Sequence, residues 1–159
     1  MRPKTPMPLQ VGDLAPDFAL RDQHGAEFRL SAYAGKKAVL LVFYPFAFSG
    51  VCTGELTAFR DRLGDFETEQ TTVLAISCDP IYSQRAFADR DGIFFPLLSD
   101  YWPHGAVSSA YGVFDDSQGC PERSSFVIDK GGLICWSVHN ERGEARDLDI
   151  QAGQLEIAP

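Results

Sequence analysis

The chain has 159 residues, 45% of them hydrophobic, which suffices for one domain with a full core and falls short of two ordinary ones. A formal net charge of −8 argues against nucleic acid or an anionic membrane surface as partner, since either requires a basic face. No run of about 18 apolar residues occurs, and residues 1–10 hold charge and three prolines without an apolar stretch, so neither a membrane span nor a signal peptide is expected.

Four cysteines, Cys52, Cys78, Cys120 and Cys135, in an acidic chain with no expected leader point to a reducing cytoplasm. They form no Cys-x-x-Cys, and the histidines are His24, His104 and His139. That spacing disfavours a structural zinc site, whose ligands come in close pairs, and removes the dithiol of a thiol-disulfide reductase.

Taken in order, residues 1–10 read as a flexible arm and 11–159 as a single domain. Residues 18–21 and 27–30 alternate apolar and polar around Asp22-Gln23-His24-Gly25, which predicts a β-hairpin with His24 on the surface. Residues 31–35 form a short turn. Residues 38–44, Ala-Val-Leu-Leu-Val-Phe-Tyr, are an unbroken apolar run between Lys36-Lys37 and Pro45, the pattern of a parallel central strand buried on both faces. Pro45 stops the ladder because it has no N–H, and the following loop, ending in Ser49-Gly50, delivers Cys52 to the first turn of a helix. That helix runs roughly over 51–63, with Leu56, Phe59 and Leu63 on one apolar face.

Residues 72–77 are a second apolar strand, and Asp79-Pro80 opens a helix whose Ala86 and Phe87 face the sheet. Residues 94–98 make a short strand whose Pro96 places it near an edge or entering from a loop. A short helix over 107–111 ends at Gly112, and residues 125–129 and 133–138 form a hairpin around Lys130-Gly131-Gly132. The order fits a three-layer α/β domain with a mixed sheet, parallel in the middle and antiparallel at one side. The tail after Asp147 is short and weakly patterned, and there are no internal repeats.

A thiol in the first turn of a helix lies where unpaired backbone N–H groups and the positive end of the helix dipole favour an anion. A small buried hydrophobe explains the same position equally well. The pattern Pro45-x-x-x-Ser49-x-x-Cys52-x-x-Glu55 separates the two readings. It resembles the peroxiredoxin signature Pro-x-x-x-(Thr/Ser)-x-x-Cys, and residues 46–56 are most similar to the one-cysteine branch typified by alkyl hydroperoxide reductase E. The resemblance runs from Val11-Gly12-Asp13 through residues 95–105 to Arg123-Ser124-Ser125-Phe126-Val127-Ile128-Asp129. Ser49 stands where threonine is commoner, which keeps the hydroxyl and loses a methyl group.

The resemblance implies a thioredoxin-like fold and a thiol peroxidase without metal, haem or flavin. Its substrates would be hydrogen peroxide, organic hydroperoxides and peroxynitrite, and Cys52 would pass through a sulfenic acid. An external thiol would then recycle it: thioredoxin, a glutaredoxin-like protein or a low-molecular-weight thiol. Thiolate formation from an ordinary cysteine accounts for at most about 30-fold of any acceleration at neutral pH, so donors aimed at the breaking O–O bond must supply the rest.

Arg123 is the best candidate cation: it is permanently charged, donates in a planar fork and matches the family arginine by position, although alone it reads as a surface charge. Ser49 offers a donor to thiolate or peroxide, or caps its own loop. Pro45 ends the strand and would cover the thiolate from bulk water. Glu55 would hold Arg123 through an ion pair, although the helix dipole by itself explains a carboxylate there. Position 57, where other branches often carry a resolving cysteine, is Thr57. Cys135 reads as a small core residue, and so does Cys78, although its place at the sheet's carboxyl edge leaves it open as a resolving thiol; Cys120, between Gly119 and Pro121, is expected to be exposed and is the other candidate resolving thiol. Trp102 reads as a packing residue, and the family's use of the Trp102–His104 region in subunit contacts implies a homodimer. The rival function is a peroxide sensor or holdase with little turnover.

Overall fold

The computed structural model describes residues 7–141 and 143–159. In chain order the strands are β1 (Ala19–Arg21), β2 (Glu27–Arg29), β3 (Ala38–Phe43), β4 (Thr71–Ser77), β5 (Leu97–Ser99), β6 (Phe114–Asp115), β7 (Cys120–Pro121), β8 (Ser124–Ile128) and β9 (Ile134–His139). The helices are α1 (Gly50–Asp61), α2 (Ile81–Asp91), α3 (Ala106–Ala110) and α4 (Leu148–Glu156). Seven strands form one mixed sheet in the order β2-β1-β5-β4-β3-β8-β9, and β6 and β7 make a separate small ladder.

β3 is the spine. Its residues alternate between two apolar clusters on opposite faces of the sheet: Ala38, Leu40 and Val42 with Leu56, Phe59, Phe87 and Leu155, and Val39, Leu41 and Phe43 with Phe18, Tyr111 and Phe126. This period of two explains why an all-apolar run forms a strand here: each neighbouring residue has its own core to fill. β3, β4 and β5 pair in parallel, so the loops after β3 and β4 emerge side by side at the carboxyl edge.

The sheet differs from the sequence reading in having antiparallel pairs on both sides. β8 and β9 continue the ladder from β3, and the N-terminal hairpin joins through Arg21 opposite Ser99. β5 is consequently an interior strand. Pro96 is accommodated because it precedes the strand and contributes only its carbonyl, which accepts from Ala75 N, while Leu97 N donates to Gln23 Oε1 at 2.8 Å.

Other expectations shift locally. α1 ends at Asp61, with a separate 3₁₀ turn at Leu63–Asp65. On α2 it is Ala88 that joins Phe87 in the core, while Ala86 is exposed. The tail beyond Asp147 forms α4, whose Asp147 side chain caps the N–H groups of Asp149 and Ile150. Of the arm expected over 1–10, residues 1–6 lie outside the described residues. Leu9 N donates to the Tyr111 carbonyl, and the Met7 carbonyl fills the space that a side chain at Gly112 would need.

Cys120 lies in β7 and is fully buried, which corrects the exposed loop expected from its polar neighbours. Trp102 is 81% exposed and does not pack into the chain's core. Among the described residues no helix is long and apolar enough to cross a membrane.

Candidate active site

Tyr44 closes β3 with its N–H on the Ile76 carbonyl, and Pro45 then turns the chain away from the sheet. Phe48 adopts the left-handed region at φ 70°, unusual for a bulky residue, with its ring 5.3 Å from Phe87 and beneath the Arg90 guanidinium at 4.8 Å. Ser49 is the extended N-cap of α1; its carbonyl accepts from Thr53 N at 2.8 Å. The Ser49 hydroxyl donates to the Phe46 carbonyl at 3.0 Å, so the loop-capping bond is the one it makes.

Cys52 is therefore the third residue of α1, a free thiol with no exposed surface, packed among Leu56, Tyr44 and Ala47. Arg123 immediately precedes β8 and is also buried. Its Nη2 donates to Cys52 Sγ at 3.2 Å and its Nη1 to Glu55 Oε1. Glu55 stands three residues after Cys52, on the same face of α1, so one helix presents the sulfur and the carboxylate that holds its cation.

Sequence reasoning missed Arg146. This side chain is fully buried and donates from Nη1 to Glu55 Oε1 at 2.6 Å, while its backbone N–H donates to Glu55 Oε2 at 2.7 Å. Its remaining N–H groups go to Ser125 Oγ, the Ser124 carbonyl and the Phe43 carbonyl. Burial pulls Arg146 down to about 10, with Glu55 opposing, and it remains a cation at neutral pH. Nothing local marks it, because its partners lie far back in the chain.

The charges explain why these groups are buried together. Arg123 and Arg146 share the Glu55 carboxylate, and the other arm of the Arg123 fork points a permanent cation at the Cys52 sulfur. Cys78 and Cys135 sit differently: burial pushes the Cys78 thiol up to about 12, with Asp100 adding to the effect, and burial likewise raises Cys135.

Pro45 and Arg123 line a cleft of about 350 Å³ together with Asp115, Glu122, His139 and Asn140. The site thus brings together Cys52, Arg123 and Glu55 directly, with Pro45 as part of the wall and Ser49 one turn before the sulfur. His24 and His104 lie away from it, His104 being held by the Tyr101 and Gly119 carbonyls. Among the described residues no group of His, Cys, Asp and Glu is arranged to hold a metal ion.

A thiol at the carboxyl edge of a parallel β3–α1–β4 unit, under a buried guanidinium, defines a thiol enzyme on a thioredoxin-like fold. The chain matches the AhpC/TSA family over residues 11–137 and belongs to it: it is a peroxiredoxin, a thiol-dependent peroxidase. Alkyl hydroperoxide reductase E of Mycobacterium tuberculosis is 50% identical over 147 residues, covering 92% of this chain and 96% of that protein. The chloroplastic 2-Cys peroxiredoxin BAS1 of Spinacia oleracea is 40% identical over 153 residues, covering 90% of this chain and 57% of that protein. Among solved structures, peroxidoxin BcpB of Mycobacterium tuberculosis superposes with a TM-score of 0.82 at 33% identity, over 93% of this chain and 97% of that one. Reduced 2-Cys peroxiredoxin of Plasmodium vivax superposes with a TM-score of 0.84 at 29% identity, over 94% and 81%.

Proposed function

We propose that Cys52 is the peroxidatic nucleophile and Arg123 its principal electrostatic partner, in a one-cysteine enzyme that reduces hydrogen peroxide, organic hydroperoxides and peroxynitrite. The observation that carries this reading is the 3.2 Å contact from Arg123 Nη2 to Cys52 Sγ inside a buried cluster with Glu55 and Arg146. Similarity to an alkyl hydroperoxide reductase supports organic hydroperoxides as substrates.

The thiolate attacks one peroxide oxygen. An S–O bond forms as the O–O bond breaks and the electron pair goes to the leaving oxygen, which takes a proton to become water or an alcohol, or departs as nitrite when the substrate is peroxynitrite. Sulfur is oxidised to sulfenic acid. An external thiol then condenses with it, releasing water and leaving a mixed disulfide that a second thiol reduces. Arg123 stabilises the anion on sulfur and then on the leaving oxygen, Glu55 and Arg146 hold Arg123 in position, and Pro45 shields the sulfur.

Thr57, at the position where other branches carry a resolving cysteine, supports recycling by an external thiol: thioredoxin, a glutaredoxin-like protein or a low-molecular-weight thiol. Free thiols and an acidic composition support a cytoplasmic location. Exposed Tyr101 and Trp102 support a homodimer through that face.

The test is the initial rate of peroxide loss with a dithiol reductant supplied. Wild type should turn over repeatedly, and Cys52→Ser should lose essentially all of the rate, because a serine hydroxyl does not ionise in the accessible pH range. Retention of the rate in Cys52→Ser, with loss in Cys78→Ser or Cys120→Ser, would reassign the nucleophile. A single stoichiometric reaction without turnover would favour the sensor or holdase.

A further inference from the structure

The loop over residues 45–49 is held from the side by the β4–α2 unit. At the end of β4, Asp79 Oδ2 accepts from Ala47 N at 2.8 Å and from Ser77 Oγ at 2.6 Å. Ala47 N belongs to the same peptide group as the Phe46 carbonyl, which accepts the Ser49 hydroxyl. One planar peptide therefore lies between the Asp79 carboxylate and the Ser49 hydroxyl. Because the unit is rigid, fixing its N–H end fixes the direction of its carbonyl. A negative charge at the N–H end also polarises the carbonyl oxygen and makes it a better acceptor.

The Asp79 side chain is itself constrained. Ser77 Oγ accepts from Gln84 Nε2 at 2.7 Å, and Gln84 Oε1 accepts from the Tyr44 hydroxyl at 2.5 Å. Tyr44 is fully buried in the apolar cluster that contains Cys52. The chain of bonds runs from the residue beside the sulfur, through β4, to the loop that covers the sulfur. Phe48, seated on Phe87 and under Arg90, anchors the same loop one residue beyond Ala47.

We propose that Asp79 is a positioning residue for the peroxide reaction: through the 46–47 peptide it keeps the Ser49 hydroxyl hydrogen on the Phe46 carbonyl. The lone pairs of Ser49 Oγ are then free to accept from the O–H of the incoming peroxide. The inference rests on Cys52 as the peroxidatic residue. Ser49 transfers no proton in this step. It holds the hydrogen already on the attacked oxygen and so aligns the O–O axis with the sulfur, while the leaving oxygen takes its proton elsewhere. A serine free to rotate would divide its time between donating and accepting, and that reorientation would have to occur at each encounter.

The experiment is a double-mutant cycle on the second-order rate constant for oxidation of Cys52 by hydrogen peroxide, measured at a pH where the thiol is fully ionised in every variant. Asp79→Asn should lower the constant roughly 5- to 10-fold in the wild-type background and by less than about 2-fold in the Ser49→Ala background. Ser49→Thr keeps the hydroxyl and should keep the sensitivity to Asp79→Asn. Thermal midpoints of the same proteins accompany the rates; Asp79→Asn, which retains an acceptor for Ala47 N, keeps the test valid if Asp79→Ala fails to fold. Equal losses in both backgrounds would show that Asp79 acts on the loop as a whole and would overturn the proposal, as would no loss in either. A wild-type protein that leaves peroxide unreacted would overturn the Cys52 reading and this proposal together, whereas an active wild type without coupling overturns this proposal alone.

Discussion

Cys52 has no exposed surface, so bulk water cannot stabilise charge on its sulfur, and neighbouring groups must do so. Arg123 reaches the sulfur directly, and Glu55 divides its two oxygens between Arg123 and Arg146. If Arg123 acts on the leaving oxygen as well as on the sulfur, Arg123→Ala should slow oxidation by more than the change in thiolate fraction explains. The expected residual deficit, once the thiol is fully ionised, is roughly 100-fold, the usual effect of removing one preorganised donor. Rapid-mixing kinetics over a pH series, with the thiol titrated separately, measure the two effects. Equal rates at full ionisation would restrict Arg123 to favouring the thiolate.

At the scale of elements, the cysteines divide according to the strand or helix that carries them. α1 sets Cys52 beside the Arg123 guanidinium, whereas Cys120 lies in β7 and Cys78 directly follows β4; all three are buried. One equivalent of peroxide should therefore leave Cys52 as a sulfenic acid that a small thiol traps as a mixed disulfide, with excess peroxide driving it to sulfinic acid. Intact mass decides: a loss of two hydrogens that disappears in Cys120→Ser would overturn the one-cysteine assignment and leave the peroxidase intact. α4 contributes to the site through its entry, since Asp147 caps the helix directly after Arg146. Asp147→Ala should lower unfolding stability by about 1 kcal/mol, the usual cost of losing an N-cap, read from the urea midpoint at unchanged slope.

For the molecule as a whole, Tyr101 and Trp102 are adjacent exposed aromatics and together present an aromatic patch. Such a patch is characteristic of a contact surface. Light scattering should give twice the 17.5 kDa chain mass for wild type and the chain mass for Trp102→Glu, with the thermal midpoint of the monomer little changed because Trp102 fills no core space. A wild-type monomer would remove the dimer from the proposed function.

Local spacing alone was enough for β3, for the hairpins, and for the placement of Pro45, Ser49, Cys52 and Glu55 around one strand end and one helix start. Each is encoded by neighbours a few residues apart, where backbone geometry dictates which side chains share a face. Arg123 was legible only through the family resemblance of residues 123–129; alone it reads as a surface charge. Arg146 was not, because its partner Glu55 lies 91 residues earlier and no periodicity marks an isolated arginine. Burial of Cys120 and the interior place of β5 were likewise decided by which surfaces the folded chain lays over them. So was the orientation of the Ser49 hydroxyl, whose environment includes the bond from Ala47 N to Asp79, 32 residues away. Sequence determined which residues could form the site; tertiary structure decided which charges face one another and which thiol meets a guanidinium, because burial and electrostatics depend on distance in space and not along the chain.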